Sequence, residues 1–264
     1  MMRSGGVVEN NLYLQNYNAL LFGLGIEPEP AGVTGAIRRN VVLDGRDYGD
    51  GTGNPLPGGL CLDMGNVTSA VVTDNIFAHN TSGSGPRAIQ LHDAHQYNSY
   101  RVVENTTFTN NIVYDWGGTI IDIQTDVGGR FQQPVNLRLV GNSFQGPRDG
   151  SAIIRHAVAA SVPGVTSGEN KFHSTAPASA WFWVGNQSRS LHQWKELVGD
   201  SSSMAREVAY LDPRRTIATY GTSIGAPATL AAFLAEARAQ SKANWRPAYT
   251  AAAVNDYIRA GFGM

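Results

Sequence analysis

Asp63, His92, Asp122 and Arg155 are the residues whose types and spacing best suit chemistry on a bound molecule. Each follows an apolar residue in a short β-forming segment, and such segments recur about every thirty residues. If Phe22, Leu62, Leu91, Ile121 and Ile154 form one inward column, the next position faces outward and reads Gly23, Asp63, His92, Asp122, Arg155. Two carboxylates with an imidazole between them and a guanidinium alongside supply the parts of acid–base catalysis. Asp63 and Asp122 lie two segments apart. Strand spacing sets their backbones roughly 10 Å apart, just beyond the about 6.5 to 9.5 Å between the carboxyls of inverting glycosidases, and side chains that lean together close the difference. A solvated ladder of surface charges is the competing reading of the same four residues.

What positions these residues is a repeat. An apolar β-former, polar residues, Asn and a further apolar residue recur every 28 to 37 residues, with Asn10, Asn40, Asn75, Asn105, Asn142 and Asn170 at matching points. Val72-Thr73-Asp74-Asn75-Ile76-Phe77 is one copy and Leu139-Val140-Gly141-Asn142-Ser143-Phe144 another. A second set of strands lies between them, at 19–24, 60–64, 88–93, 119–124, 152–157 and 180–184, bounded by Gly, Pro or Asn. Units of this length bury their apolar face only by stacking on a neighbour. The expected fold is all-β, a right-handed, single-stranded parallel β-helix over residues 1–187. Asn suits a repeated corner because it tolerates left-handed geometry and its amide reaches the equivalent Asn one rung away.

After residue 187 the pattern turns helical. Ser190-Leu191-His192-Gln193-Trp194 opens a closing segment, Thr229 and Thr250 read as N-caps, and residues 188–264 are expected to form a helical C-terminal cap. Thirty glycines against three lysines fit a turn-rich β protein. A formal net charge of −1 without a basic run argues against nucleic acid, and no apolar run approaches the roughly 20 residues of a membrane span. Met1-Met2-Arg3-Ser4-Gly5-Gly6 lacks a signal-peptide core and enters a repeat at once, so rungs and an export signal are expected upstream. Lone Cys61, inside Leu60-Cys61-Leu62, reads as a packed thiol.

The rungs over about residues 5–187 resemble the right-handed parallel β-helix superfamily of pectate lyases, polygalacturonases and alginate-lyase-like proteins. That resemblance implies contact with carbohydrate in a groove on an exposed sheet face, and secretion, without fixing a reaction. It leads to a polysaccharide-cleaving enzyme as the expectation, a glycoside hydrolase using Asp63 and Asp122 ahead of a uronic-acid lyase. In the lyase reading Arg155 is the base, and Asp63, Asp122 or Asp93 would hold Ca²⁺ against the substrate carboxylate. A non-catalytic binding or adhesin fragment is the third reading. Gln90, Gln124, His95 and His156 are the candidate substrate contacts; no other cofactor is implied, and a monomer acting on polysaccharide is expected.

Three further features are weaker. Trp181 and Trp183 alternate and so share a face; as the inward plug of the last rung they fit better than as a sugar-stacking platform. Asp44, Asp47 and Asp50 are spaced by three, which is wrong for an EF-type calcium loop and fits a solvated turn. Gly221-Thr222-Ser223-Ile224-Gly225 matches G-x-S-x-G, but no His follows His192, so a helix-entry turn is expected rather than a nucleophile elbow.

Overall fold

The computed structural model describes residues 4–16, 18–23, 32–45, 48–49, 55–56, 60–80, 87–92, 102–124, 134–157, 162 and 164–264. Its β part is a parallel solenoid of about five turns with three sheets. The first sheet stacks Gly6–Glu9, Val33–Arg38, Val67–Thr73, Thr106–Thr109, Leu137–Val140 and Val165–Gly168. The second stacks Leu12–Leu14, Val41–Leu43, Ile76–Ala78, Ile112–Tyr114, Ser143–Gln145 and Lys171–His173, then Met204–Ala205. The third stacks Asn18–Phe22, Leu60–Met64, Ile89–His92, Ile121–Gln124, Ile154–His156 and Phe182–Val184, and closes on antiparallel Gln187–Arg189.

The corner between the first and second sheets explains the Asn period. Two residues turn it. Asn10, Arg39, Asp74, Asn110, Gly141 and Glu169 take positive φ, all between 55° and 68°. The next residue, Asn40, Asn75, Asn111, Asn142 or Asn170, is buried. Each buried amide is used on both sides: Asn75 Nδ2 donates to Asn111 Oδ1 and to the Ile37 carbonyl, both at 2.9 Å, while Asn75 Oδ1 accepts from the backbone and side-chain nitrogens of Asn40 at 3.0 Å. The expected ladder therefore needs correcting at Asn10 and Asn105. Asn10 is a left-handed corner residue rather than a ladder member, and Asn105, with φ 42°, sits at the other corner, leading into the first sheet. At the corner between the first and second sheets, left-handed geometry and laddering fall to adjacent residues; at the other corner Asn105 does both, donating Nδ2 to the Thr68 carbonyl at 3.3 Å and accepting from Asn136 Nδ2, one rung on, at 3.0 Å.

Inside the coil, Phe144 and Phe172 lie 5.6 Å apart, Phe172 and Phe182 5.1 Å, and Phe182 stacks on Trp194 at 5.2 Å with ring planes 8° apart. Trp194 belongs to helix α1 (Leu191–Val198), capped by Ser190, and it covers the last rung's core. The plug is thus Phe182 with Trp194; Trp181 is buried in the same core as expected, whereas Trp183 points outward beneath Arg155. The repeat also runs past residue 187: Met204–Ala205 adds a further parallel strand to the second sheet.

Contacts divide the chain into two compact units, Met1–Glu9 with Tyr13–Val208, and Asn10–Leu12 with Ala209–Met264. The second carries α2 (Ile217–Ser223), α3 (Leu230–Arg238) and α4 (Ala251–Gly261), capped by Thr216, Thr229 and Thr250. None of the described helices is long and apolar enough to cross a membrane.

Candidate functional site

The outward face of the third sheet gathers most of the expected residues, in a different register. Backbone pairing places Leu21, Asp63, Gln90, Asp122, Arg155 and Trp183 in one column. His92 is not in it; it stands two residues along the strand from Gln90, level with Gln124. The inward residues form two columns, Leu20, Leu62, Ile89, Ile121, Ile154 and Phe182 beside Phe22, Met64, Leu91, Ile123, His156 and Val184. Aligning Phe22 with Leu62 and Leu62 with Leu91 slips the register by two residues, a shift that leaves every side chain on its own face. The outward assignment survives for that reason, while the column does not.

His92 still joins the group by leaning diagonally across one rung. Its Nε2 lies 2.9 Å from Asp63 Oδ1, with the two side chains 14% and 12% exposed. An imidazole paired with a carboxylate, partly open to solvent, is an arrangement able to carry a proton. Asp122 is placed otherwise. Its side chain is 1% exposed; Arg155 Nη1 donates to both of its oxygens at 3.2 Å, and Arg87 Nε also ion-pairs with it. Arg87 further donates to Gln90 Oε1 at 3.2 Å, and the Arg155 guanidinium lies 4.7 Å from the centre of the Trp183 ring. The buried carboxylate thus anchors two guanidiniums whose side chains are 41% and 37% exposed. Asp122 does not present an oxygen to a substrate; it presents Arg87 and Arg155.

Arg87 escaped the sequence reading because it precedes its strand, outside the period-two register. Its signal was its place immediately before Ala88, where a long side chain reaches over the first outward residues of the sheet. Gln90, expected as a substrate contact, lies within the column between Asp63 and Asp122. His156 does not belong to the face: it points into the coil, wholly buried, and burial pushes its imidazole down to about 4. His95, Asp93, Asp47, Asp50 and the side chain of Gln124 lie outside the described residues.

The expected calcium site does not fit the donor set. Both Asp122 oxygens face guanidinium nitrogens, Asp63 faces His92, and among the described residues no three His, Cys, Asp or Glu side chains converge. Asp44 belongs to another group, at the corner after the second sheet, where Asp44, His79 and Asp115 stack with φ of 56°, 58° and 52°. His79 Nδ1 lies 3.3 Å from Asp115 Oδ2, Arg148 Nε lies 3.2 Å from Asp115 Oδ1, and burial pushes the Asp44 carboxyl up against the opposing influence of His79. Asp44 thus belongs to a corner stack of polar side chains, while Asp47 and Asp50 lie outside the described residues. The Cys61 thiol is fully buried and pushed well up by that burial.

G-x-S-x-G lies at a helix exit, not a helix entry. Ser223 ends α2 and donates its hydroxyl proton to the Tyr220 carbonyl at 2.7 Å, so no nucleophile elbow forms. Compared with protein families, curated proteins and solved structures, the chain matches none.

Proposed function

We infer that this protein acts on an acidic polysaccharide laid across the third sheet, and that it cleaves the chain by β-elimination rather than by hydrolysis with paired aspartates. The supporting observation is the unequal state of the two carboxylates. Asp122 is enclosed by Arg87 and Arg155, which leaves Asp63 with His92, side chains 12% and 14% exposed, as the acid–base pair among the described residues of this face. Hydrolysis by an aspartate pair requires both carboxyls to reach the glycosidic bond. Elimination requires one base and a cationic seat for a uronate carboxylate, and planar guanidinium forks suit that seat. His92, steadied by Asp63, takes the proton on the carbon next to the carboxylate. The β carbon–oxygen bond breaks, its electrons leave on the departing oxygen, and a carbon–carbon double bond forms. The departing oxygen takes up a proton, and Arg87 and Arg155 hold the carboxylate while negative charge builds on it.

The test is digestion of alginate, polygalacturonate and a neutral glucan by the full chain, followed by ultraviolet absorbance and reducing ends. Absorbance from an unsaturated uronide supports elimination, and His92→Gln is expected to lower kcat by roughly 10² to 10⁴. New reducing ends without that absorbance overturn elimination in favour of hydrolysis. Binding without turnover is the second reading, favoured by Trp183, whose outward ring lies in line with the guanidiniums.

A further inference from the structure

The two glycines of the G-x-S-x-G stretch shape an open cleft in the C-terminal unit. After α2 ends, the chain turns back on it: Gly225 takes φ 70°, Ala226 N donates to the Gly221 carbonyl at 2.9 Å, and a Cβ on Gly221 would meet the Pro227 oxygen at 2.7 Å. This close return forms one wall. The cleft is about 450 Å³, lined by Gly221, Ile224, Gly225, Ala226 and Pro227 on that side and by Ala232, Phe233, Ala235, Glu236 and Tyr249 on the other. That volume lies within the roughly 300 to 1,000 Å³ of small-molecule sites, and the mostly apolar lining with few polar groups is their usual character.

The walls are held independently of any ligand. Tyr220 Oη donates to the Ala248 carbonyl at 2.5 Å, Gln240 Nε2 to the Tyr249 carbonyl at 3.0 Å and Arg246 Nη2 to the Glu236 carbonyl at 3.1 Å. Arg246 also ion-pairs with the Glu236 carboxylate and lies 4.9 Å from the centre of the Tyr249 ring. The Phe233 and Tyr249 rings lie 5.9 Å apart with planes at 38°. Opposite them stand only short or branched side chains, which leaves a slot suited to a flat ring. Glu236 is the one charged side chain on the lining. A carboxylate accepts at about four lone-pair positions, more than Arg246 takes, and donates none.

We propose that this cleft is a binding site for a small aromatic molecule bearing a hydrogen-bond donor, distinct in chemistry from the polysaccharide face. A saccharide, with hydroxyls all round, finds too few polar partners on this lining. A ring bearing a carboxylate brings only acceptors to Glu236, whose oxygens accept and cannot donate. The site stands whether or not the third sheet cleaves polysaccharide.

The experiment titrates the full chain with phenol, toluene and benzoate while the methyl signals of Ile224, Ala232 and Ala235 are followed by NMR. Phenol is expected to shift these signals saturably, with toluene weaker and benzoate weaker than phenol by about tenfold or more. Ala232→Trp fills the slot and should abolish the phenol shifts while the circular dichroism spectrum is kept. Glu236→Gln keeps the shape but removes the charge, so it should narrow the gap between phenol and benzoate; this second variant carries the test if Ala232→Trp fails to fold. The proposal is overturned if phenol leaves these methyls unmoved, if Ala232→Trp folds and binds phenol as well as the parent, or if Glu236→Gln leaves the phenol-to-benzoate ratio unchanged. It is also overturned if the same signals move on dilution without any probe, because the cleft would then be occupied by a second copy of the chain.

Discussion

Asp122 occupies an outward strand position yet is fully buried, because Arg87 and Arg155 close over it. Strand alternation correctly gave its direction but could not give its cover, which comes from a residue outside the strand. An exposed charge at such a position contributes little stability, whereas hydrogen bonds to a buried charged group contribute more. Asp122→Ala is therefore expected to cost roughly 1 to 3 kcal/mol in urea denaturation, and an unchanged midpoint would mean that the guanidiniums are held by something else. His156 is the opposite case. Its polar type argued for an outward contact, but alternation from inward Ile154 places it in the core, and position outweighs type. Burial lowers its folded value to about 4, against about 6.5 for an exposed imidazole. As pH falls through that window the unfolded chain binds a proton that the folded chain does not, so stability declines between about 6.5 and about 4. The decline attributable to this residue is on the order of 3 kcal/mol. His156→Leu should flatten the difference in thermal midpoint between pH 7 and pH 4; an equal slope in both proteins would show that other groups drive it.

At the scale of the element, the Asn period announced a solenoid because one corner geometry repeats at every turn. It could not separate the two jobs done there. Val103-Glu104-Asn105-Thr106-Thr107-Phe108 imitates the motif, yet Asn111, six residues on, makes the ladder: its Nδ2 donates to the Val72 carbonyl at 2.9 Å and to Asn142 Oδ1 at 3.0 Å. Removing that amide takes from the buried corner the acceptor of the Asn75 backbone nitrogen and a donor to the Val72 carbonyl. Asn111→Ala is expected to cost about 2 to 4 kcal/mol, since each buried group left unsatisfied costs roughly 1 to 3. Asn105 is exposed, so its side-chain bonds to the Thr68 carbonyl and Asn136 compete with water, and Asn105→Gly should cost at most about 1 kcal/mol. Comparable losses at the two sites would show that the ladder amide is not what holds the corner. The polar column was legible for the same reason as the fold, and its register was not, because a slip of two residues preserves every face.

At the scale of the molecule, a solenoid is held together by nearest-neighbour stacking, so its ends decide where opening begins. The ladder ends on Ser203 instead of a further Asn: Asn170 N donates to Ser203 Oγ at 2.9 Å, and Glu169 N donates to Ser202 Oγ at the same distance. Sequence reading stopped short of this half-rung because a Ser-Ser pair carries none of the Asn motif, although a hydroxyl oxygen can accept the same bond. Asp200 fixes the pair, its Oδ1 accepting from the backbone nitrogens of Ser202 and Ser203 at 2.9 Å. Burial alone would raise its carboxyl, but bonds from Ser203, Ser167 and Ser202 outweigh that and hold it below the ordinary range. Its support is therefore present at neutral pH and is lost as pH falls below about 4. Ser203→Ala should loosen the last rung locally. Hydrogen exchange of the Lys171–His173 and Met204–Ala205 amides is expected to quicken by about tenfold or more, corresponding to roughly 1 to 3 kcal/mol of lost local stability. Exchange in Val41–Leu43, several rungs away, should stay at the parent rate. Uniform acceleration through all the rungs would instead mean that the coil opens as a single cooperative body and that Ser203 does not act as its stop.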